Sequence, residues 1–269
     1  MTLTDEELER YARHIVLREI GGSGQAKLKA ASVLVIGAGG IGSPALQYLA
    51  AAGIGYLAVA DNDEVELSNL QRQTLFGTDD IGKDKAATAV EAMERLNPTI
   101  RPGGLSVRID GDNVGEILDL VHPDVILDGT DNFATRLVVA DAALRHRIPL
   151  VSAAVSGFEG QLGTFRGWET DKPCYRCFVG GDPERPETSC AEQGVLGALT
   201  GVMGSLAALE TIRAVAPFGE DSAGKLLLVD ALSLRFRTLA LPKDPGCPAC
   251  GAGQADSGAS GTIDQPSNA

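Results

Sequence analysis

Between Ser32 and Ala153 short apolar runs alternate with longer amphipathic stretches, the pattern of strands alternating with helices in a doubly wound, mostly parallel sheet. Ser32-Val33-Leu34-Val35-Ile36 predicts a strand that opens straight into a glycine turn. A helix over 41–52 stops at Gly53, and Tyr56 to Ala60 predicts a second strand ending in Asp61, completing a βαβ unit. The alternation continues with a helix from Lys83 to Leu96 stopped by Asn97-Pro98, a strand near Leu105 to Ile109, a helix from Asn113 to Leu120, the strand Val125 to Leu127 ending in Asp128, a helix from Ala134 to Arg145 and the strand Leu150 to Ala153. Ahead of them Thr4 to Arg18 predicts an amphipathic helix, with Thr4 and Glu7 at capping-box spacing and Gly21-Gly22 as its stop. Leu8, Tyr11, Ile15 and Val16 give that helix an apolar face, away from Arg13. After Gly157 shorter β-like stretches, Gln161 to Arg166, Leu226 to Val229 and Leu234 to Leu241, surround a long helix over 194–215. They read as an antiparallel extension of the same sheet.

Composition narrows the class. With 269 residues, 44% hydrophobic and 22% charged, the chain suits one large globular α/β domain. A net charge of −13 leaves no basic stripe for a nucleic-acid backbone, so any phosphate site must be local. The acidic N-terminus is unlike a secretory signal, so a cytoplasmic protein is expected. The uncharged run from Gly194 to Leu209 contains four glycines and falls short of a span of about 18 to 20 apolar residues, so a buried core helix is expected there and no membrane segment.

Gly37-Ala38-Gly39-Gly40-Ile41-Gly42 matches the G-x-G-x-x-G phosphate turn between a strand and a helix. Asp61 closes the next strand, where a carboxylate can accept from ribose hydroxyls. These features suit a nicotinamide dinucleotide as well as ATP. The stretch Ser68-Asn69-Leu70-Gln71-Arg72-Gln73 and then Gly82-Lys83-Asp84-Lys85 tilt the choice, because hydride transfer needs no such cluster. Displacement at the α-phosphorus of ATP does need cations and polar donors, here Arg72 and Lys85 with Asn69 and Gln71. Gly129-Thr130-Asp131-Asn132 follows a strand at the ligand-binding edge of the sheet, where Asp131 is placed to hold Mg²⁺.

Cys174 and Cys177, and later Cys247 and Cys250, form two C-x-x-C pairs, a strong signature of a tetrahedral zinc site. The long gap requires the fold to bring the knuckles together, so the site would pin the C-terminal segment to the body. A thioredoxin-like redox pair is the alternative, though such a pair follows a strand and opens a helix. Cys190 stands apart in a polar loop before the long helix, where it is either a thiol activated by a helix N-terminus or a small residue without chemistry.

Taken in order, Arg10-Tyr11-x-Arg13, GAGGIGS, SNLQRQ, Gly82-x-x-Lys85, Gly129-Thr130-Asp131-Asn132, the two knuckles and the Cys190 loop resemble the MoeB/ThiF/HesA family, relatives of the ubiquitin-activating enzymes, over about residues 8–251. The resemblance implies a homodimer whose subunits each use ATP to adenylylate the terminal Gly-Gly carboxylate of a small ubiquitin-like sulfur-carrier protein, releasing pyrophosphate. It implies that Gly39 and Gly40 contact the nucleotide, Asp61 the ribose, Asn69, Arg72 and Lys85 the phosphates, and Asp131 Mg²⁺, with Asp63, Ser68, Gln71 and Asn132 completing the nucleotide contacts. Arg13 is similar to an arginine that reaches into the partner subunit's site, and Cys190 to a loop cysteine used by some members for thioester or sulfur transfer. The members serving molybdenum cofactor biosynthesis are most similar, with those of the thiamin thiazole pathway hard to separate. No rhodanese-like segment follows the second knuckle, so a separate sulfur donor is expected. The expected layout is one adenylyltransferase domain over 1–251, with the N-terminal helix 4–18, a nucleotide-binding part over about 30–155, a zinc and carrier-binding part over about 156–251, and a disordered tail over 252–269. The fold class is thus a Rossmann-like α/β sheet with an antiparallel C-terminal extension and a four-cysteine zinc site.

Overall fold

A computed structural model describes residues 2–180 and 194–251. Cys190 and the tail 252–269 lie outside the described residues. Eight strands form one sheet: β1 (Ser32–Ile36), β2 (Tyr56–Ala60), β3 (Arg101–Leu105), β4 (Val125–Asp128), β5 (Leu150–Ser156), β6 (Glu159–Phe165), β7 (Lys225–Asp230) and β8 (Arg235–Ala240). Their order is β3-β2-β1-β4-β5-β6-β7-β8. The first five run parallel and the last three antiparallel, as the change of texture after Gly157 predicts. The order reverses between β1 and β4, and a crevice opens there at the carboxyl ends of the strands.

The helices are α1 (Asp5–Arg10), α2 (Ala12–Ile15), α3 (Gly21–Ala30), α4 (Gly42–Ala52), α5 (Lys85–Leu96), α6 (Val114–Val121), α7 (Phe133–His146), α8 (Tyr175–Val179) and α9 (Gly197–Val215). Successive strand residues feed opposite cores. Val33, Val35, Leu57 and Val59 pack with residues of α4, α5 and α9, whereas Leu34, Ile36 and Ala58 pack with residues of α6 and α7. α9 is long and apolar enough to cross a membrane by length and composition. Here Leu199, Met203, Ala207 and Ala208 bury one face of it against the core around α4 and the sheet, while Val202 and Leu209 stay exposed.

Three segments depart from the sequence reading. The N-terminal helix has the expected capping box, in which Glu7 N–H donates to Thr4 and Thr4 N–H to the Glu7 carboxylate, but it breaks at Tyr11. Tyr11 turns inward, where its hydroxyl accepts from Asn97 at 2.8 Å and meets Thr99 at 2.9 Å. The expected apolar face is therefore split, with Tyr11 buried and Leu8 and Val16 exposed. Gly21-Gly22 does not merely end a helix; it begins α3, whose N-cap residue Ile20 makes no side-chain capping hydrogen bond. The strand expected near Leu105 to Ile109 lies at Arg101–Leu105 instead. Pro102 and two glycines argue against a strand by propensity, but β3 is at the sheet edge, where the missing donor is tolerated. The Leu105, Val107 and Ile109 alternation is real, and it packs onto the second core from the end of β3 and the loop after it.

Candidate active site

The glycine turn links β1 to α4 at the crevice. A Cβ on Gly42 would stand 1.8 Å from the carbonyl oxygen of Gly37, so only glycine lets the helix start this close to the strand. Among the described residues the N–H groups of Gly39 and Gly40 have no acceptor, leaving donors for an anion at the helix start. Asp61 holds the turn from the neighbouring strand: one carboxylate oxygen accepts from Ala38 N–H at 2.7 Å and the other from Asp63 N–H at 2.9 Å. Burial pushes its carboxyl above the usual range, against the opposing pull of those donors and of Lys85.

These groups line one open cleft of about 530 Å³, within the size range of small-molecule sites. The lining brings together Gly39, Gly40, Asp61, Asp63, Asn69, Arg72, Lys85, Asp131 and Asn132, nine of the expected nucleotide contacts from three connections of the sheet. The Lys85 side chain, 5% exposed, projects its ammonium onto Asp63 at 2.9 Å. Arg72 donates to the Ser68 carbonyl at 3.1 Å from the short turn after β2. Asp131 is exposed at the cleft with no hydrogen-bond donor among the described residues, and with Asp61 and Asp63 it offers the hard oxygen atoms that Mg²⁺ prefers.

Ser68, Gln71 and Arg13 do not line the cleft. The Ser68 hydroxyl donates to Glu66 at 3.2 Å, and Gln71 is exposed with its carbonyl against Gly197 at the start of α9. Arg13 is exposed on α2. Sequence reasoning passed over Gln73, Arg108, Arg136 and Thr200, all of which line the cleft. Gln73 sat in view inside SNLQRQ. Its buried Oε1 and the Oδ1 of Asn69 lack a hydrogen-bond partner, a costly state that a ligand donor would relieve. A Cβ on Gly39 would find nothing closer than 4.0 Å, so this wall is open to a bulky group.

Arg136 carried no sequence signal, because its role depends on packing. Its side chain is 7% exposed and lies 3.3 Å from Asp128, itself 1% exposed. It donates to the Ser152 hydroxyl and the Ala153 carbonyl, each at 2.8 Å, and to the Thr130 carbonyl. Asp128 in turn accepts from the Thr130 N–H at 3.1 Å, the Thr130 hydroxyl at 2.7 Å and the Ser152 hydroxyl at 3.0 Å. The buried pair is thereby fully hydrogen-bonded, the condition under which such a pair is sustained. It fixes the loop that carries Asp131.

The two knuckles meet far from that cleft along the chain but close in space. The four sulfurs of Cys174, Cys177, Cys247 and Cys250 all lie within 4.8 Å of one another. Neighbouring pairs stand at 3.4, 3.5 and 3.8 Å, too far for disulfides and near the edge of about 3.8 Å expected for a tetrahedron of thiolates around zinc. Burial, with the crowding of sulfurs, pushes the Cys174 thiol up and the Cys250 thiol to about 11. Burial also opposes ionisation of Cys247, but the N–H groups of Ala249 and Cys250 outweigh it and lower that thiol. Four thiols in this state suit a divalent cation that replaces their protons. Lys243 donates to the Gly167 and Glu169 carbonyls at 2.7 and 2.8 Å, so the C-terminal segment is pinned to the body as the spacing required.

The ThiF family profile matches residues 11–249, covering the cleft, the first knuckle and Cys247 of the second. The chain belongs to the ThiF family. Among its ThiF-family relatives, the sulfur carrier protein adenylyltransferase of Thermus thermophilus is 45% identical over 93% of each chain. The sulfur carrier protein ThiS adenylyltransferase of Escherichia coli is 43% identical over 94% of this chain and 99% of its own length, and the molybdopterin-synthase adenylyltransferase of Salmonella typhimurium 40% over 93% and 98%. Of solved structures, E. coli MccB with ATP superposes with a TM-score of 0.77 at 25% identity, covering 90% of this chain and 74% of that one. The ThiF fold thus accounts for the strand order seen here.

Proposed function

We propose that this protein adenylylates the C-terminal Gly-Gly carboxylate of a small ubiquitin-like sulfur-carrier protein. The reading is carried by one observation: a glycine turn with free N–H donors, a buried lysine, an arginine and an exposed aspartate share one cleft. The names of the relatives, adenylyltransferases of sulfur-carrier proteins and of molybdopterin synthase, support it. The carrier carboxylate is already ionised at neutral pH and attacks the α-phosphorus of ATP. An oxygen–phosphorus bond forms, the bond to the β-phosphate oxygen breaks, and pyrophosphate leaves with the electron pair. Gly39 and Gly40 approach the phosphates, Asp61 accepts from the ribose, and Arg72 and Lys85 neutralise charge that grows on the phosphate oxygens. Asp131 would hold Mg²⁺, which would supply further positive charge there. The four cysteines would hold zinc in a structural role, since four thiolate ligands leave no open position for a substrate.

Arg13 completes the site from a second subunit, which makes the homodimer the working form, and Cys190 either attacks the acyl-adenylate to form a thioester with release of AMP or accepts sulfane sulfur from the persulfide of a separate donor protein, whose thiol is released. The carrier of molybdopterin synthase is the first substrate to test and the thiamin thiazole carrier the second. The experiment is carrier-dependent exchange of labelled pyrophosphate into ATP across a panel of Gly-Gly-ended carriers. Exchange with one of them is the expected result. No exchange with any, in protein that melts cooperatively and holds zinc, would overturn the reading, as would a thermal shift with NAD and none with ATP.

A further inference from the structure

The cysteine centre and the nucleotide cleft are connected through α8 and α7. α8 begins at Tyr175, directly after the ligand Cys174, and carries Cys177 one turn on. It is seated on α7 by two ties. Arg176 makes a two-pronged pair with Asp141 of α7, with both nitrogen–oxygen distances 2.7 Å. Tyr175, buried, hydrogen-bonds the Arg136 guanidinium. The ring of Tyr175 is set edge-on against Phe165 at 5.3 Å and Phe178 at 6.1 Å, so the phenol has little freedom to swing away.

Arg136 is the same residue that donates to the Thr130 carbonyl and pairs with Asp128, holding the loop Gly129-Thr130-Asp131-Asn132 at the cleft. Asn132 caps α7 by accepting from Thr135 N–H at 2.9 Å. An unbroken series of short contacts therefore runs from a cysteine ligand to the carboxylate expected to meet the nucleotide's metal: Cys174, Tyr175, Arg136, Thr130, Asp131. Its first and last steps are along the chain, and the hydrogen bonds of Arg136 to Tyr175 and Thr130 between them are buried or half-buried, where a bond to a charged group is strong and its loss is felt.

We propose that Tyr175 and Arg136 are positioning residues that couple metal occupancy of the four-cysteine centre to nucleotide binding in the cleft. With the cysteines joined by a cation, α8 stays docked and Tyr175 holds Arg136 against the Asp131 loop. With the cation lost, α8 is free to lift, and Arg136 loses its Tyr175 partner. Because coupling between two binding equilibria is reciprocal, nucleotide in the cleft must also tighten the hold on the metal. The link rests on the adenylyltransferase reading, since it takes ATP as the ligand of the cleft.

The test uses the metal-loaded protein and reads metal release rather than turnover. Zinc transfer to a chromogenic chelator is timed with and without saturating α,β-methylene-ATP and Mg²⁺, for wild type and Tyr175→Phe, which keeps the ring cluster and removes only the hydroxyl. In wild type the nucleotide should slow release by about fivefold or more, the lower end of ordinary coupling between sites. In Tyr175→Phe the slowing should shrink to less than about twofold while the zinc content stays at that of wild type. Arg136→Lys, which keeps a cation beside Asp128 but cannot bridge Tyr175 and Thr130 together, should lose the coupling likewise and covers the case of poor metal loading by the first variant. Equal slowing in wild type and both variants overturns the proposal, as does binding of the nucleotide by wild type with no effect on release. Failure of the zinc-loaded wild type to bind the nucleotide at all overturns the adenylyltransferase reading and the link with it.

Discussion

Replacing Asp128 by alanine tests whether the floor of the cleft is built on a buried ion pair. The substitution deletes a carboxylate that accepts three hydrogen bonds and leaves Arg136 charged at 7% exposure with its other partners only neutral. Removing one member of a buried pair costs about 3–5 kcal/mol, because the remaining charge is left uncompensated. For a domain of this size each kcal/mol moves the melting temperature by about 2–4 °C, so a drop of about 6–20 °C is expected. Asp128→Asn, which keeps the shape and two acceptor lone pairs, should fall between the variant and wild type. Differential scanning calorimetry of all three, without and with ATP and Mg²⁺, is the measurement. The nucleotide-induced rise in melting temperature should also shrink, since the Thr130 N–H and hydroxyl lose the acceptor that sets the loop. An alanine variant that melts within about 2 °C of wild type would refute the argument, for then the pair would contribute no more than a screened surface contact.

Cys177→Ser should release zinc and destabilise the chain, because a hydroxyl is a far poorer ligand than a thiolate; a variant with unchanged metal content and melting temperature would contradict the tetrahedral site. Asp131→Ala should lower pyrophosphate exchange by at least about 100-fold with zinc content intact, and near-normal exchange would remove the Mg²⁺ assignment. Mixing Arg13→Ala with Asp131→Ala subunits should recover part of the exchange activity, since one site of each heterodimer keeps both groups; confirmed heterodimers without recovery would mean that Arg13 does not act across an interface. Glu7 gives a pH dependence: burial raises its carboxyl, but Lys29 at 2.6 Å and Thr4 outweigh it, so its value lies below the ordinary 4.5. Its stabilising contribution is therefore present above pH 4.5 and is lost as pH falls through the lowered value, and Glu7→Gln should flatten that part of the melting-temperature profile between pH 6 and 3.

What the sequence disclosed followed from local signals. Short apolar and β-like runs placed seven of the eight strands, and stop residues such as Gly53 and Asn97 ended helices where the structure ends them. β3 was misplaced because its residues, Arg-Pro-Gly-Gly-Leu, have no strand propensity; parallel pairing with Tyr56 to Ala60 along the edge decides its conformation. Tyr11 broke an otherwise regular helix for a similar reason, as its hydroxyl is drawn to Asn97 and Thr99, 86 and 88 residues away. Such pairings leave no trace in a window of neighbouring residues.

The candidate site divides along the same line. Glycines, Asp61, Lys85 and Asp131 were legible because the chemistry that needs them also fixes their spacing from a strand end or a turn. Arg136 was not, since an arginine one turn into a helix ordinarily faces water, and here it is buried only because β4 and β5 bring Asp128, Ser152 and Ala153 around it. This difference bears on how the site works. Residues that meet the ligand can be exchanged among members of a fold that performs other chemistry, whereas Arg136 answers to the sheet, to α8 and to the loop at once. A substitution there is expected to disturb cleft geometry and cysteine centre together, which neither Arg72 nor Lys85 could do from its place on the cleft wall.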